Sequence, residues 1–138
     1  MIDLTTKPGA RAAERLQNEQ VLWLTTVTPA GQPQASPVWF LWTGSELVLA
    51  SLDGTPRTAN IRSNPRVAVH FDSDGEGGDI VSMEGEARID ESSPSDAEKD
   101  AYFSKYDAKI SAYSWTPESM FRDYPVIIRI RPTRLRAW

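Results

Sequence analysis

The sequence predicts a mainly β, α+β domain built on a six-stranded antiparallel barrel. Three observations carry that expectation. Six runs rich in β-branched and aromatic residues follow one another at short intervals. Turn-forming residues separate most of them, and three of the interruptions open with Thr-Pro or Ser-Pro, a helix-start signature. With 138 residues, 40% hydrophobic and 25% charged, the chain is sized for a single domain over residues 1–138.

The elements follow in order. Residues 9–20 (GARAAERLQNEQ) have helical composition. Val21–Thr28 (VLWLTTVT) is a strand, Pro29-Ala30-Gly31-Gln32 a turn, and Pro33–Trp42 (PQASPVWFLW) the returning strand of a hairpin. Thr43-Gly44-Ser45 turns into a third strand, Glu46–Leu52. Asp53-Gly54 breaks it, Thr55 caps a short helix with Pro56 at its first position, and Pro65 ends that helix near Asn64. Arg66–Phe71 and Ile80–Ile89 are the fourth and fifth strands, joined by the loop Asp72–Asp79. Ser93-Pro94 opens a helix running to about Tyr113, with Tyr102, Tyr106, Ile110 and Tyr113 on one stripe. Thr116-Pro117 opens a short one. Pro125–Arg136 closes the chain as the sixth strand, Ile128 and Ile130 alternating with Arg129 and Arg131.

Composition removes much of enzymology. Without cysteine there are no disulfides, thiol nucleophiles, iron–sulfur clusters or Cys-ligated zinc. One histidine, His70, precludes a multi-His metal site within a chain. A net charge of −4 argues against non-specific nucleic-acid binding. No apolar run approaches the ~20 residues that span a bilayer. The polar start MIDLTTKPGARAAERL lacks the basic and apolar segments of a secretory signal, so a cytoplasmic protein is expected. Five tryptophans serve either core packing or a flat-ligand pocket.

Charge is uneven. Asp72 to Asp100 holds eleven acidic residues against Arg88 and Lys99, whereas Arg122 to the end holds five arginines against Asp123. Two separately solvated surfaces are the plainer expectation, complementary faces the alternative. Asp72, Asp74, Glu76 and Gly77 fit the opening of a calcium loop, but Met83 stands where its closing glutamate belongs and strands flank it, so a solvated loop is expected. Alternation sets His70 opposite Val69 and Phe71, as a solvated or interface residue. There is no G-x-S-x-G elbow, and Glu84 and Glu86 share one strand face rather than opposing each other across a cleft. No catalytic acid, base or nucleophile is evident.

The most informative stretch is Ser51–Phe71 (SLDGTPRTANIRSNPRVAVHF). A strand ends, turns and enters a helix whose free N–H groups and dipole attract phosphate, with Arg57 in the first turn able to reach the same anion. A capped surface helix with an unrelated arginine is the alternative.

Strand, turn, Arg57, Asn60 and the entry Asn64-Pro65-Arg66-Val67 resemble the pyridoxamine 5′-phosphate oxidase-like split barrels, which bind flavins and deazaflavins. The resemblance runs nearly end to end. TPAGQPQASPVWF is similar to the family's first hairpin, and HFDSDGEGGDIVSMEGEARI to the strand pair that follows. The closing YPVIIRIRPTRLRAW is similar to the terminal strand of the actinobacterial branch that uses coenzyme F420. The resemblance implies a six-stranded FMN-binding split barrel, a homodimer, and two cofactor sites in grooves between subunits.

By position, the resemblance puts Arg57 where the flavin oxidases place a phosphate-binding lysine, and Asn60 where they use glutamine. Ser51, Leu52 and Thr55 fall on the phosphate turn. Ser36, Pro37, Val38 and Trp39 lie on the strand whose backbone flanks the flavin or deazaflavin ring. Ser36 and Pro56 stand where the oxidases carry arginines, which favours coenzyme F420 over FMN. The implied function is an F420-dependent reductase of a small organic substrate; an FMN-binding oxidase or reductase and a non-catalytic cofactor carrier are the alternatives. Trp39, with Trp115 or Trp138, is then expected to wall the ring or the substrate, while a core role for Trp39 stays open. No catalytic side chain and no metal are expected.

Overall fold

A computed structural model describes residues 1–138. Four helices and seven strands follow one another: α1 (Lys7–Asn18), β1 (Val21–Val27), β2 (Pro33–Trp39), β3 (Leu41–Trp42), β4 (Leu47–Ser51), α2 (Pro56–Ser63), β5 (Arg66–His70), β6 (Val81–Asp90), α3 (Asp96–Ala112), α4 (Pro117–Asp123) and β7 (Val126–Ala137). The strands form one antiparallel sheet in the order β2-β1-β5-β6-β7-β4-β3. Its two edges, β2 and β3, are consecutive pieces of chain separated by Phe40 alone. The sheet therefore curls round on itself as a barrel.

Seven strands rather than six arise at Phe40. Its N–H donates to the Tyr106 hydroxyl at 2.8 Å, and its carbonyl accepts from Lys105 Nζ at 2.8 Å. With both backbone groups taken by side chains of α3, the expected strand Pro33–Trp42 leaves the β1 ladder after Trp39 and joins β4 at Leu41. The lysine ammonium also lies 3.5 Å from the Phe40 ring centroid, and burial pushes its pKa down to about 8.

Two helix starts differ from expectation. α1 begins at Lys7, because the Thr6 side chain accepts from the Gly9 N–H and caps it. α3 begins at Asp96, because Ser95 rather than Ser93 forms a reciprocal capping box with Glu98.

Period-2 alternation sorts the sheet into two cores. Leu22, Leu24, Phe40, Leu47, Leu49, Val69, Met83, Ile128 and Ile130 fill the barrel, closed at one end by Ala12 and Leu16 of α1. From the same strands, Leu41, Val48 and Ile127 face outward and pack under Tyr102, Tyr106, Ile110 and Met120 of α3 and α4. Tyr113, expected on that stripe, is instead the C-cap of α3 and 63% exposed.

The charged stretches meet, contrary to the expectation of separate solvated surfaces. Arg129 on β7 is 8% exposed and binds Asp90 at 2.6 Å, Glu98 at 2.7 and 2.8 Å and Glu46 at 3.1 Å. Arg131 pairs with Glu86 across the β6–β7 ladder at 2.9 Å. In the acidic loop Asp79 is held by Arg11, and Asp74 turns back onto the N–H groups of Glu76 and Gly78. No three acidic or histidine side chains are grouped to hold a metal. No helix is long and apolar enough to cross a membrane.

Candidate functional site

α2 starts where β4 ends, and the turn between them points Arg57 back toward the barrel. Gly54 takes φ +74°, which a side chain would resist, and lets the chain reverse into Thr55. Thr55 caps the helix by accepting from the Thr58 N–H, and Pro56 fixes its first position. The cap uses the Thr58 N–H and proline has none, so the anion affinity of this turn rests chiefly on the arginine side chain.

Arg57 bridges the two strands that the sequence singled out. One terminal nitrogen donates to Ser36 Oγ on β2 at 2.9 Å, the other to Ser51 Oγ on β4 at 3.1 Å. Its Nε is buried and has no partner, and no carboxylate lies within ion-pairing distance. Burial accordingly lowers its pKa. A half-buried cation met only by neutral hydroxyls is costly unless an anion completes it.

Two clefts meet at this residue, both lined by Thr55 and Arg57. One, about 520 Å³, is polar, with Thr26, Gln34 and Ser36 in its wall. The other, about 430 Å³, is mostly apolar and aromatic: Pro37, Val38 and Trp39 from β2, Ala50 and Ser51 from β4, and Leu52 line one side. Tyr102, Tyr113, Trp115, Met120 and Tyr124, from α3, α4 and their flanks, line the other. Trp39 stacks on Tyr106 at 4.5 Å with 4° between planes and meets Trp115 edge-on at 6.1 Å. That packing fixes the orientation of the indole while leaving it in the cavity wall, so it serves core and site together.

Of the residues singled out from the sequence, Ser36, Pro37, Val38, Trp39, Ser51, Leu52, Thr55 and Arg57 line one or both clefts. Asn60 lines neither: it is 5% exposed and its amide donates to Thr26 Oγ1 at 2.9 Å and Gln34 Oε1 at 3.0 Å, tying α2 to the hairpin. Trp115 reaches the aromatic cavity, whereas Trp138 lies beside Lys7, Arg11 and Asp79. The sequence marked Tyr102 and Tyr113 as a stripe without a target, and gave no sign of Met120 or Tyr124. His70 is exposed beside Trp23 and belongs to neither cleft. Glu84 and Glu86 face Arg134 and Arg131 across the ladder. The titratable groups in the clefts are Arg57 and three tyrosines. Such a site can bind and orient a phosphate-bearing ring and exclude water, but carries no acid–base pair.

The family model for pyridoxamine 5′-phosphate oxidase matches residues 9–138. The chain belongs to that family. Among solved structures of the same fold, a protein from Listeria innocua assigned as a candidate pyridoxamine 5′-phosphate oxidase shares 27% identity over 93% of this chain and 95% of its own, with a TM-score of 0.68. An F420 reductase shares 25% identity over 89% of this chain and 94% of its own, at TM-score 0.66. The haem storage protein HutZ of Vibrio cholerae, 16% identical over 96% and 95% of the two chains, superposes at 0.71 and shows the fold alone. No curated protein sequence matches the chain. Membership of the pyridoxamine 5′-phosphate oxidase family accounts for the seven-stranded sheet as a split barrel.

Proposed function

We propose that this family member is an oxidoreductase that uses the deazaflavin coenzyme F420 to reduce a small organic substrate. The observation that carries the reading is Arg57, a sheltered cation with an unpartnered Nε and no carboxylate, set between a polar cleft and an aromatic one. The donor set fits a phosphorylated, ring-bearing cofactor. When bound, reduced deazaflavin supplies hydride, and the protein supplies binding, orientation and a dry surface.

In this reading Arg57 holds a phosphate, helped by the hydroxyl-rich wall of Thr26, Ser36 and Thr55. The β2 segment Ser36–Trp39 lies along the ring, and Trp39, immobilised against Tyr106, forms a flat wall. Asn60 acts at one remove by fixing the hairpin that carries Gln34 and Ser36. Ser36 suits a site with one guanidinium, since a second arginine there would crowd Arg57 with like charge. β2 is a sheet edge with Gln34, Ala35 and Pro37 exposed, and a second copy of the chain would cover it and complete the grooves.

The test is a fluorescence titration of the purified protein with oxidised F420 and, separately, with FMN. Micromolar F420 binding with weaker FMN binding supports the reading. Tight FMN binding, or a protein yellow as isolated, assigns an FMN enzyme instead. Binding of F420 without oxidation of the reduced coenzyme by any offered acceptor assigns a carrier. Sedimentation at micromolar concentration, expected to give a dimer, tests the shared grooves.

A further inference from the structure

Where β2 and β3 part at Phe40, a cavity of about 370 Å³ opens between α1, β3 and α3. It shares no lining residue with the two clefts that meet at Arg57. Leu16 of α1 and both residues of β3, Leu41 and Trp42, make its apolar wall. Gln17 and Ser104, both exposed, add neutral hydrogen-bond donors. Lys105 supplies its one charge. The ammonium donates to the Phe40 carbonyl at 2.8 Å, lies 3.5 Å from the Phe40 ring centroid and 5.3 Å from that of Tyr106, and has no carboxylate within ion-pairing distance. A carbonyl and two rings are neutral partners, which occupy part of the ammonium and leave its charge unbalanced. Burial works against that charge and lowers the pKa of the lysine, a cost that an anion in the cavity would relieve.

We propose that this cavity is a second ligand site, which takes a small monocarboxylate with an apolar body, the carboxylate on Lys105 and the body against Leu16, Leu41 and Trp42. The class of ligand follows from the wall. One cation flanked by two neutral donors suits a single carboxylate, whose two oxygens have room for Lys105 together with Gln17 or Ser104. A phosphate calls for more positive charge than the cavity holds. Three apolar side chains call for a hydrocarbon body, whose burial adds to the affinity. A zwitterionic amino acid fits less well, since no acidic side chain lines the cavity to receive its ammonium. The proposal does not rest on the F420 reading, because none of the residues which that reading uses lines this cavity.

The experiment compares hexanoate with hexanol by calorimetry at neutral pH, in the wild type and in Lys105→Gln. Hexanoate is expected to bind the wild type about tenfold more tightly than the alcohol, and within about twofold of it in Lys105→Gln, with the affinity for the alcohol unchanged. Trace acetylation of the wild type by acetic anhydride, read lysine by lysine, locates the ligand without any substitution. Saturating hexanoate should slow the reaction of Lys105 about fivefold, by covering the amine and holding it protonated, and leave Lys7, Lys99 and Lys109 as they were. Equal binding of acid and alcohol, a preference that survives Lys105→Gln, an unprotected Lys105, or failure of both probes to bind overturns the proposal. Should Lys105→Gln fail to fold, the acetylation decides alone.

Discussion

Arg129 and Arg57 are both sheltered arginines, and their surroundings are opposites. Arg129 is enclosed by Asp90, Glu98 and Glu46; its hydrogen bonds to Glu98 above all hold it charged, raising its pKa. Arg57 is met by two serine hydroxyls, and burial lowers its pKa. The first cation is neutralised from within the chain and ties α3 to β4, β6 and β7. The second is left short of negative charge at the mouth of two clefts. A sheltered charge supplied with counter-charges serves the fold, and one denied them is set for something from outside.

Replacing Arg129 by alanine should break that contrast most severely. It strands three carboxylates whose side chains are about one-fifth exposed, at a cost of ~3–5 kcal/mol. A shift of the urea midpoint to lower concentration at unchanged slope is the readout; a wild-type midpoint would mean that Arg129 is not a structural hub. Arg57→Ala is the mirror experiment. F420 affinity should fall by ~1.5–3 kcal/mol, roughly 10- to 150-fold, through loss of a charge-assisted hydrogen bond. Stability should change by less than ~0.5 kcal/mol, because no ion pair is lost. Lost stability with unchanged F420 affinity would place Arg57 with Arg129.

Acid sharpens the comparison further. The side-chain hydrogen bond from Arg129 holds Glu98 at about 2, against an ordinary 4.5, and Asp90 is lowered too, by the Ser92 N–H and then by Arg129. A carboxylate whose folded pKa is depressed contributes fully above its unfolded value and loses that contribution as pH falls through the folded one. Stability should therefore decline between about pH 4.5 and pH 2, by ~2 kcal/mol from Glu98 after allowance for its partial exposure. Chemical denaturation across that range checks this, and Arg129→Ala should flatten the slope. The smallest effect belongs to Arg131→Ala, whose pair with Glu86 is about half exposed on both sides; a loss below ~0.5 kcal/mol is expected in the same assay. A loss as large as that of Arg129 would mean that exposure does not separate the two.

Much of the fold is legible along the chain because its signals are local. The hairpin from Val21 to Trp39, the helix opened by Thr55-Pro56 and the alternating strand from Val126 all stand in the sequence and in the structure. The division at Phe40 is not, since the groups that claim its N–H and carbonyl are Tyr106 and Lys105, 66 and 65 residues away. The start of α3 is local as well: Ser95 and Glu98 stand at capping-box spacing, a signal that the reading of Ser93-Pro94 as the opening passes over. The candidate site divides the same way. The wall formed by Ser36–Trp39, Ser51, Leu52, Thr55 and Arg57 comes from two neighbouring stretches with recognisable spacing. The facing wall of Tyr102, Tyr113, Met120 and Tyr124 comes from helices whose contact face depends on how they cross the barrel.

The sequence by itself determined the element types, the closing alternation of β7, the absence of thiol and multi-histidine chemistry, and Arg57 at a capped helix start. Those follow from side-chain period, backbone restriction and composition, which act over a few residues. Only the tertiary structure decided that Arg129 is neutralised while Arg57 is not, that Asn60 ties the hairpin rather than lining a cleft, and that Tyr102 faces a cavity. Those depend on which groups remain within about 3 Å once the barrel has closed, and desolvation then gives each of them its meaning.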